Sequence, residues 1–370
     1  MLFLDGRYNL NGNMERSKIV ALWNKHGLDQ AAGKYGISCS DLHLVPGYLG
    51  CQNIVYDYAR DGQKLILRVS YRPDRSLEMI RAEVHFVNYL ADHGVLVSRA
   101  LPSLEGNLVE TLQVAEFQFR IVSFEKARGM RVPDNQYRYR EGVSIDEYCR
   151  DWGRILGQMH RLSRQYEPPE SGIRRPFWLE SWSKQHMTRI IPETLPVVRQ
   201  KYLQLMAQLQ ALPQPEDAFG LIHCDFNDGN FCLDYDTGEI TVFDFDDASY
   251  GWFMYELACA WEGFVGWAMF EPAIARRREL MHRYYAHILD GYCQENVLPG
   301  FWLEKLPFFL KVISLESLTG RLDYWQINQE PVTEDEQGEI DYWINCIEQD
   351  IPYLGLFDPV FNPEHPFCII

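Results

Sequence analysis

Basic residues are scarce in this chain: 35 Lys and Arg face 52 Asp and Glu, giving a formal charge of -17 and a pI near 5.0. Neither a nucleic acid nor an anionic membrane is expected as a partner, because each attracts proteins through a basic surface field. Most of the acids are read as solubilising surface charge, and a cationic small molecule is the ligand such a field favours. The nine cysteines, at 39, 51, 149, 224, 232, 259, 293, 346 and 368, include no Cys-x-x-Cys pair and no Cys/His spacing of a zinc site. That pattern predicts reduced, mostly buried thiols and a cytoplasmic location. Long apolar runs are missing too: "MLFLDGRYNLNG" meets Asp5 and Gly6 where a signal peptide would continue, and Glu256 and Glu262 interrupt the aromatic stretch 252–270. No repeat or low-complexity block is present, which excludes disorder over most of the length.

What is there is globular. The 370 residues are 46% hydrophobic and exceed what one core comfortably serves, so two lobes are expected. Residues 14–31 read as an amphipathic helix. From 41 onward, "DLHLVPGYLG", "CQNIVYDYA" and "KLILRVSY" read as strands, the last two joined by the hairpin signal "RDG". Helical spacing over 74–92 predicts a helix starting after Asp74 and stopping before Gly94, followed by a strand pair over 107–124. Beyond Gly129 the pattern turns helical, at 152–166 and 195–212 and again from 252, with one β interruption at 219–246. The expected organisation is an N-terminal lobe over 1–123, a hinge at 124–130 and a helical C-terminal lobe over 131–370.

Inside the β interruption lies "LIHCDFNDGNF". Phosphoryl transfer needs an acceptor hydroxyl oriented in line and cations against the transferring group, so few side chains suffice but their placing is strict. Kinase catalytic loops meet that need with His-x-Asp-x-x-x-x-Asn, and His223, Asp225 and Asn230 stand at that spacing. Fourteen residues after Asn230, the apolar strand of "ITVFDFDDASYG" delivers Asp244, in the manner of the metal-binding Asp of kinases. The turn "YDTGE" between them predicts a hairpin that brings Asn230 and Asp244 together.

The stretch "LIHCDFNDGNFCLDYDTGEITVFDFDDASYGWFMYELA" resembles the family of small-molecule kinases that contains aminoglycoside phosphotransferases, choline kinases and homoserine kinases of the second type. The resemblance covers roughly residues 41–270 and includes Gly251 and "YELA" at 255–258. It implies an α+β, bilobal, protein-kinase-like fold and an ATP- and Mg²⁺-dependent phosphotransferase acting on a hydroxyl of a small molecule, with an aminoglycoside, amino alcohol, homoserine-like compound or sugar as acceptor. In that reading Asp225 accepts or orients the hydroxyl proton, Asn230 and Asp244 hold Mg²⁺, and His223 packs the catalytic loop within 221–247. "VPGYLGCQNIVYDYARDGQKLILRVS" is similar to the family's glycine loop and first hairpin, so Gly47 and Gly50 would approach phosphates. Arg68 would steady the α and β phosphates and pair with Glu83, Glu78 being the competitor. Main-chain groups around Phe124, Glu125 and Lys126 in "IVSFEKARG" would hold adenine.

Three features depart from the pattern. Asn227 stands where protein Ser/Thr kinases place a Lys, which favours a small-molecule acceptor. Glu256 stands where the family has an Asp that braces the loop, so a loosened brace is expected. Asp246 follows Asp244 closely and is an alternative for the metal. Helix core is the expected use of Trp252, Phe253, Tyr255, Trp261, Phe264 and Trp267, with a cage for an ammonium group the alternative. His160 is expected to be a packed helix residue, and Glu262 and Asp323 to be surface carboxylates or acceptors of a substrate amine. An atypical protein kinase and a non-catalytic kinase-like binding protein are the rival readings of the whole chain.

Overall fold

The computed structural model describes residues 12–45, 53–169, 174–180, 189–268, 270–328 and 332–351. Gly47 and Gly50 lie outside the described residues. The N-terminal part is one antiparallel sheet whose strands are β1 His43–Leu44, β2 Asn53–Arg60, β3 Gln63–Ser70, β4 Ala100–Leu101, β5 Glu110–Val114 and β6 Phe117–Glu125. Their order is β1-β2-β3-β6-β4, with β5 paired to β6. Asp61 and Gly62 both take positive φ, 52° and 79°, the two-residue turn whose twist suits a hairpin. Alternation along β3 divides its side chains. Leu65, Leu67 and Val69 are buried with Trp23 and Tyr35 in one core, and Ile66 and Arg68 face the opposite way.

The expected N-terminal helix is two: α1 Gly12–His26 and α2 Leu28–Lys34, broken at Gly27, where a Cβ would meet the Trp23 ring at 2.3 Å. Helix α3, Leu77–Asp92, starts at Ser76 rather than at Asp74, because the Ser76 hydroxyl accepts the Met79 N–H at 3.2 Å. Asp74 instead pairs with Arg72.

The helical part contains α4 Ile145–Ser163, α5 Pro196–Ala211, α6 Phe253–Ala268, α7 Ile274–Cys293, α8 Gly300–Leu303, α9 Leu306–Asn328 and α10 Glu334–Glu348. Two small antiparallel pairs sit among them. One joins β7 Phe219–Ile222 to β10 Ser249–Trp252, a strand beyond the expected end of the β interruption, and the other joins β8 Phe231–Leu233 to β9 Ile240–Val242. Helices α4 and α7 touch through glycine: a Cβ on Gly153 would lie 1.9 Å from the Ile288 carbonyl, so any larger residue would force the helices apart. The two parts are sewn together at the cleft by backbone bonds. Ser98 N–H donates to Val242 O and Val242 N–H to Leu96 O, while Met130 and Leu233 exchange both of their bonds. The architecture is α+β and bilobal, and among the described residues no helix is long and apolar enough to cross a membrane.

Candidate active site

Between the lobes lies a cavity of about 340 Å³, lined on the sheet side by Val55, Ile66, Arg68 and Phe124 and on the helical side by Asp225 and Asp244. The 221–247 segment builds its floor. Asp225 is held from both oxygens, by Asn227 Nδ2 at 2.9 Å and Asn230 Nδ2 at 2.7 Å. The loop closes on itself, since Asn227 Oδ1 accepts the Gly229 N–H and Asn227 O accepts the Asn230 N–H. Phe243 N–H then donates to Asn230 O at 2.9 Å, so pairing of β8 with β9 puts Asn230 one residue from Asp244 across the hairpin.

His223 is buried and donates from Nε2 to Phe243 O at 3.0 Å, which leaves Nδ1 to accept the Asp225 N–H at 3.3 Å. Burial pushes its pKa down, so the ring stays neutral and both bonds persist. The Phe245 ring lies between it and Phe86 of α3, with centroids at 4.3 and 6.1 Å.

The brace expected to be loosened is intact. Cys224 takes a positive φ of 66°, unusual for a side-chain-bearing residue, and its N–H donates to Glu256 Oε1 at 2.7 Å. The longer Glu reaches both ways: Oε2 accepts from His160 Nε2 at 2.7 Å, and His160 Nδ1 meets the Tyr292 hydroxyl at 2.9 Å. His160, for which the sequence predicts only a packed residue, therefore links the loop to α4 and α7. Nothing local signals this, since 96 residues separate His160 from Glu256. Glu256→Ala strands the buried His160 and the Cys224 N–H together; we expect about 1–3 kcal/mol of lost stability with reduced turnover. Unfolding midpoints and turnover of the variant, compared with wild type, check this, and unchanged values would reject the brace.

On the opposite wall, Arg68 and Glu83 form a two-pronged pair at 2.6 and 2.7 Å, both buried. Burial alone would lower the Arg68 pKa, but the Glu83 carboxylate raises it further, so the guanidinium stays charged. The pair uses two of the five Arg68 N–H donors. Arg68 Nη1 lies 3.8 Å from Asp244 Oδ1, and the Phe124 ring covers the guanidinium at 5.1 Å. Glu78, the competitor, lies apart from this pair on the first turn of α3.

Asp244, in the left-handed region at φ 64°, turns its carboxylate into the cleft; removal from water and the Asp246 charge push it up to about 7. Asp246, the alternative, lines the same cavity; it is buried, accepts from Asn53 Nδ2 at 3.4 Å and lies 3.5 Å from Arg75 Nε. A divalent cation fits this donor set. Asn230 donates through Nδ2 to Asp225, which turns its Oδ1 to the other side, and Asp244 offers a carboxylate whose ionisation a cation would favour. Among the described residues no group of three His, Cys, Asp or Glu could hold a metal by itself. Mg²⁺ in phosphotransfer sites takes one or two protein ligands and completes its shell with phosphates and water.

At the hinge, the amides of Glu125 and Lys126 are already bonded, to the Arg99 and Lys64 carbonyls. Among the described residues the Ala127 N–H has no backbone acceptor, so a base lying against this edge would find its donor there, one residue beyond the expected segment.

One further carboxylate of the catalytic loop, outside the lining of that cavity, carries no signal in the sequence. Asp228 accepts from the Tyr148 hydroxyl and, at 2.9 Å, from Trp267 Nε1. The rings of Tyr137, Trp267 and Phe270 lie 5.8–6.5 Å from one another, Trp267 being the one bonded to Asp228, and Phe270 is 60% exposed. Trp252, Phe253 and Phe264, by contrast, are buried in the large core. Glu262 and Asp323 are also buried rather than on the surface, and burial pushes Asp323 up to about 6.

Comparison with known proteins points the same way. The sequence profile of the "Phosphotransferase enzyme family" matches residues 50–291. An amicoumacin kinase of Bacillus subtilis (strain 168) is 30% identical over 290 residues, which is 77% of this chain and 81% of that protein. A solved amicoumacin kinase, in complex with AMP-PNP, Ca²⁺ and its ligand Ami, superposes with a TM-score of 0.78 at 27% identity, over 91% of this chain and 96% of that one. A microcompartment-associated aminopropanol kinase shares the fold, with a TM-score of 0.66 at 21% identity over 90% of this chain and 99% of its own.

Proposed function

The chain belongs to the phosphotransferase enzyme family and is a kinase using ATP and a divalent metal to phosphorylate a hydroxyl of a small molecule; from that premise we propose that the acceptor also carries a cationic amine. The observation that carries this is Asp228. It follows Asp225 by three residues, which limits their Cα separation to about 11 Å. Among the described residues no Lys, Arg or His pairs with it, and its two bonded neighbours are neutral donors. An ammonium group would supply the missing charge, and the rings of Tyr137, Trp267 and Phe270 favour a cation over their faces. Aminoglycosides and amino alcohols meet the description, whereas a plain sugar does not.

In this reading the Asp225 carboxylate, oriented by Asn227 and Asn230, takes or directs the proton of the acceptor hydroxyl. Asn230 Oδ1 and Asp244 hold Mg²⁺, which when bound neutralises charge on the phosphates. Arg68, kept in place by Glu83, turns its remaining N–H groups to the α and β phosphates. His223 and Glu256 hold the loop's backbone. The path from Asp247 to α6 is a single short strand, Ser249–Trp252, which leaves no activation segment for a protein substrate and supports a small acceptor.

An ATP-consumption screen with Mg²⁺ over aminoglycosides, amino alcohols, homoserine, amicoumacin and amine-free sugars tests the reading. Turnover confined to amine-bearing acceptors is expected, and turnover with sugars alone would overturn it. Asp228→Asn should raise KM for the amine acceptor about 10- to 100-fold, the cost of losing a charged hydrogen bond, with kcat changed far less. Steady-state kinetics on wild type and variant give the split.

A further inference from the structure

Arg175 is 2% exposed and sits in the short segment 174–180, between α4 and α5. That segment is fastened to β10: Pro176 O accepts the Tyr250 N–H at 2.9 Å, and Phe177 forms a bridge with Tyr250. From this footing in the helical lobe the guanidinium donates three bonds, all to backbone carbonyls. Nε goes to Ala248 O and Nη2 to Asp246 O, the peptides just beyond Asp244. Nη1 crosses to the other lobe and reaches Met79 O at 3.1 Å, in the first turn of α3. The helix ladder pairs that same carbonyl with the N–H four residues on, which is Glu83.

One buried cation thus touches the peptide next to each half of the charged cleft. Among the described residues no carboxylate is hydrogen-bonded to it; burial and the neighbouring Arg75 lower its pKa, and Glu83, Asp246 and Asp247 oppose that from a distance. Three carbonyls in three directions account for an Arg: its donors are fixed in a plane, whereas a Lys ammonium on a flexible stem would not hold all three. Arg75 joins the same seam, bonding Asp247 and facing Asp246.

We propose that Arg175 is a positioning residue for phosphoryl transfer: it sets the spacing between α3 and the segment after Asp244, so that the Arg68–Glu83 pair and Asp244 meet the phosphates of one nucleotide. The proposal rests on the phosphotransferase reading of the cleft. It makes Arg175 act through two backbone segments and not by contact with the nucleotide.

The test is binding of AMP-PNP, titrated calorimetrically at several Mg²⁺ concentrations, by wild type, Arg175→Lys and Arg175→Ala. Weakening of about tenfold is expected in Arg175→Lys, with a raised Mg²⁺ requirement and an unchanged KM for the acceptor. Guanidinium ion added to Arg175→Ala should restore binding, which it would not do for a general loss of structure. Arg175→Lys within twofold of wild type, or a folded Arg175→Ala that guanidinium does not rescue, overturns the proposal. Should Arg175→Ala fail to fold, Arg175→Lys decides alone. A wild-type chain that does not bind AMP-PNP with Mg²⁺ overturns the phosphotransferase reading and this proposal with it, whereas wild-type binding beside an indifferent Arg175→Lys overturns the proposal only.

Discussion

Asp225→Asn is expected to lower kcat by about 10³-fold, within the range for loss of a positioned general base, while leaving AMP-PNP affinity nearly unchanged. The separation follows from the geometry. The Asp225 carboxylate receives Asn227 Nδ2 and Asn230 Nδ2, one on each oxygen, and this pair of donors defines which face is left for a hydroxyl. An amide in its place cannot accept a proton, and its NH₂ must face one of the two donors. A small loss of stability, on the order of 1 kcal/mol, should accompany the loss of turnover. Single-turnover kinetics with the best acceptor, beside calorimetry with AMP-PNP and Mg²⁺, would show both. Retention of turnover within threefold of wild type would move the proton acceptor to another group.

Glu83→Ala should be the most destabilising single change at the site. It leaves the Arg68 guanidinium buried and unpaired on that side, for which the expected cost is about 3–5 kcal/mol. In a chain of this size that corresponds to a fall in Tm of about 4–6 °C where unfolding is cooperative. Nucleotide affinity should fall as well, because a guanidinium that swings toward Asp244, now 3.8 Å away, is lost to the phosphates and competes with the metal. Glu83→Gln keeps one acceptor and should lose much less stability. Thermal unfolding and AMP-PNP titration of the two variants separate the effects. A Glu83→Ala protein as stable as wild type would mean that Arg68 finds another partner.

Much of the catalytic floor is legible in the sequence because its contacts are local. His223, Asp225, Asn227 and Asn230 occupy one turn, and "YDTGE" closes the hairpin that returns the chain to Asp244, so spacing alone predicts which of them meet. The alternation of "KLILRVS" likewise suffices to send Arg68 away from Leu65, Leu67 and Val69. That the Glu125 and Lys126 amides are already bonded cannot be read from the sequence, because it follows from the pairing of β6 with its neighbours. The break at Gly27 is hidden as well, since helical periodicity continues across it and only the Trp23 ring shows why the chain turns there.

By itself the amino-acid sequence determined the lobed architecture and the hairpin with its three polar residues, because each rests on periodicity or short spacing; a chemistry that needs ATP is what its resemblance to the small-molecule kinases implies. Tertiary structure decided the rest. His160 reaches Glu256, Arg175 reaches Met79 and Trp267 reaches Asp228 across 96, 96 and 39 residues. Such contacts depend on how helices and loops pack: α4 lies against α7 only because Gly153 and Gly291 lack a Cβ, and Arg175 reaches both lobes only because segment 174–180 is fastened to β10. No local pattern encodes which buried polar group finds which partner, since that choice is made when the lobes close and every buried donor must find an acceptor.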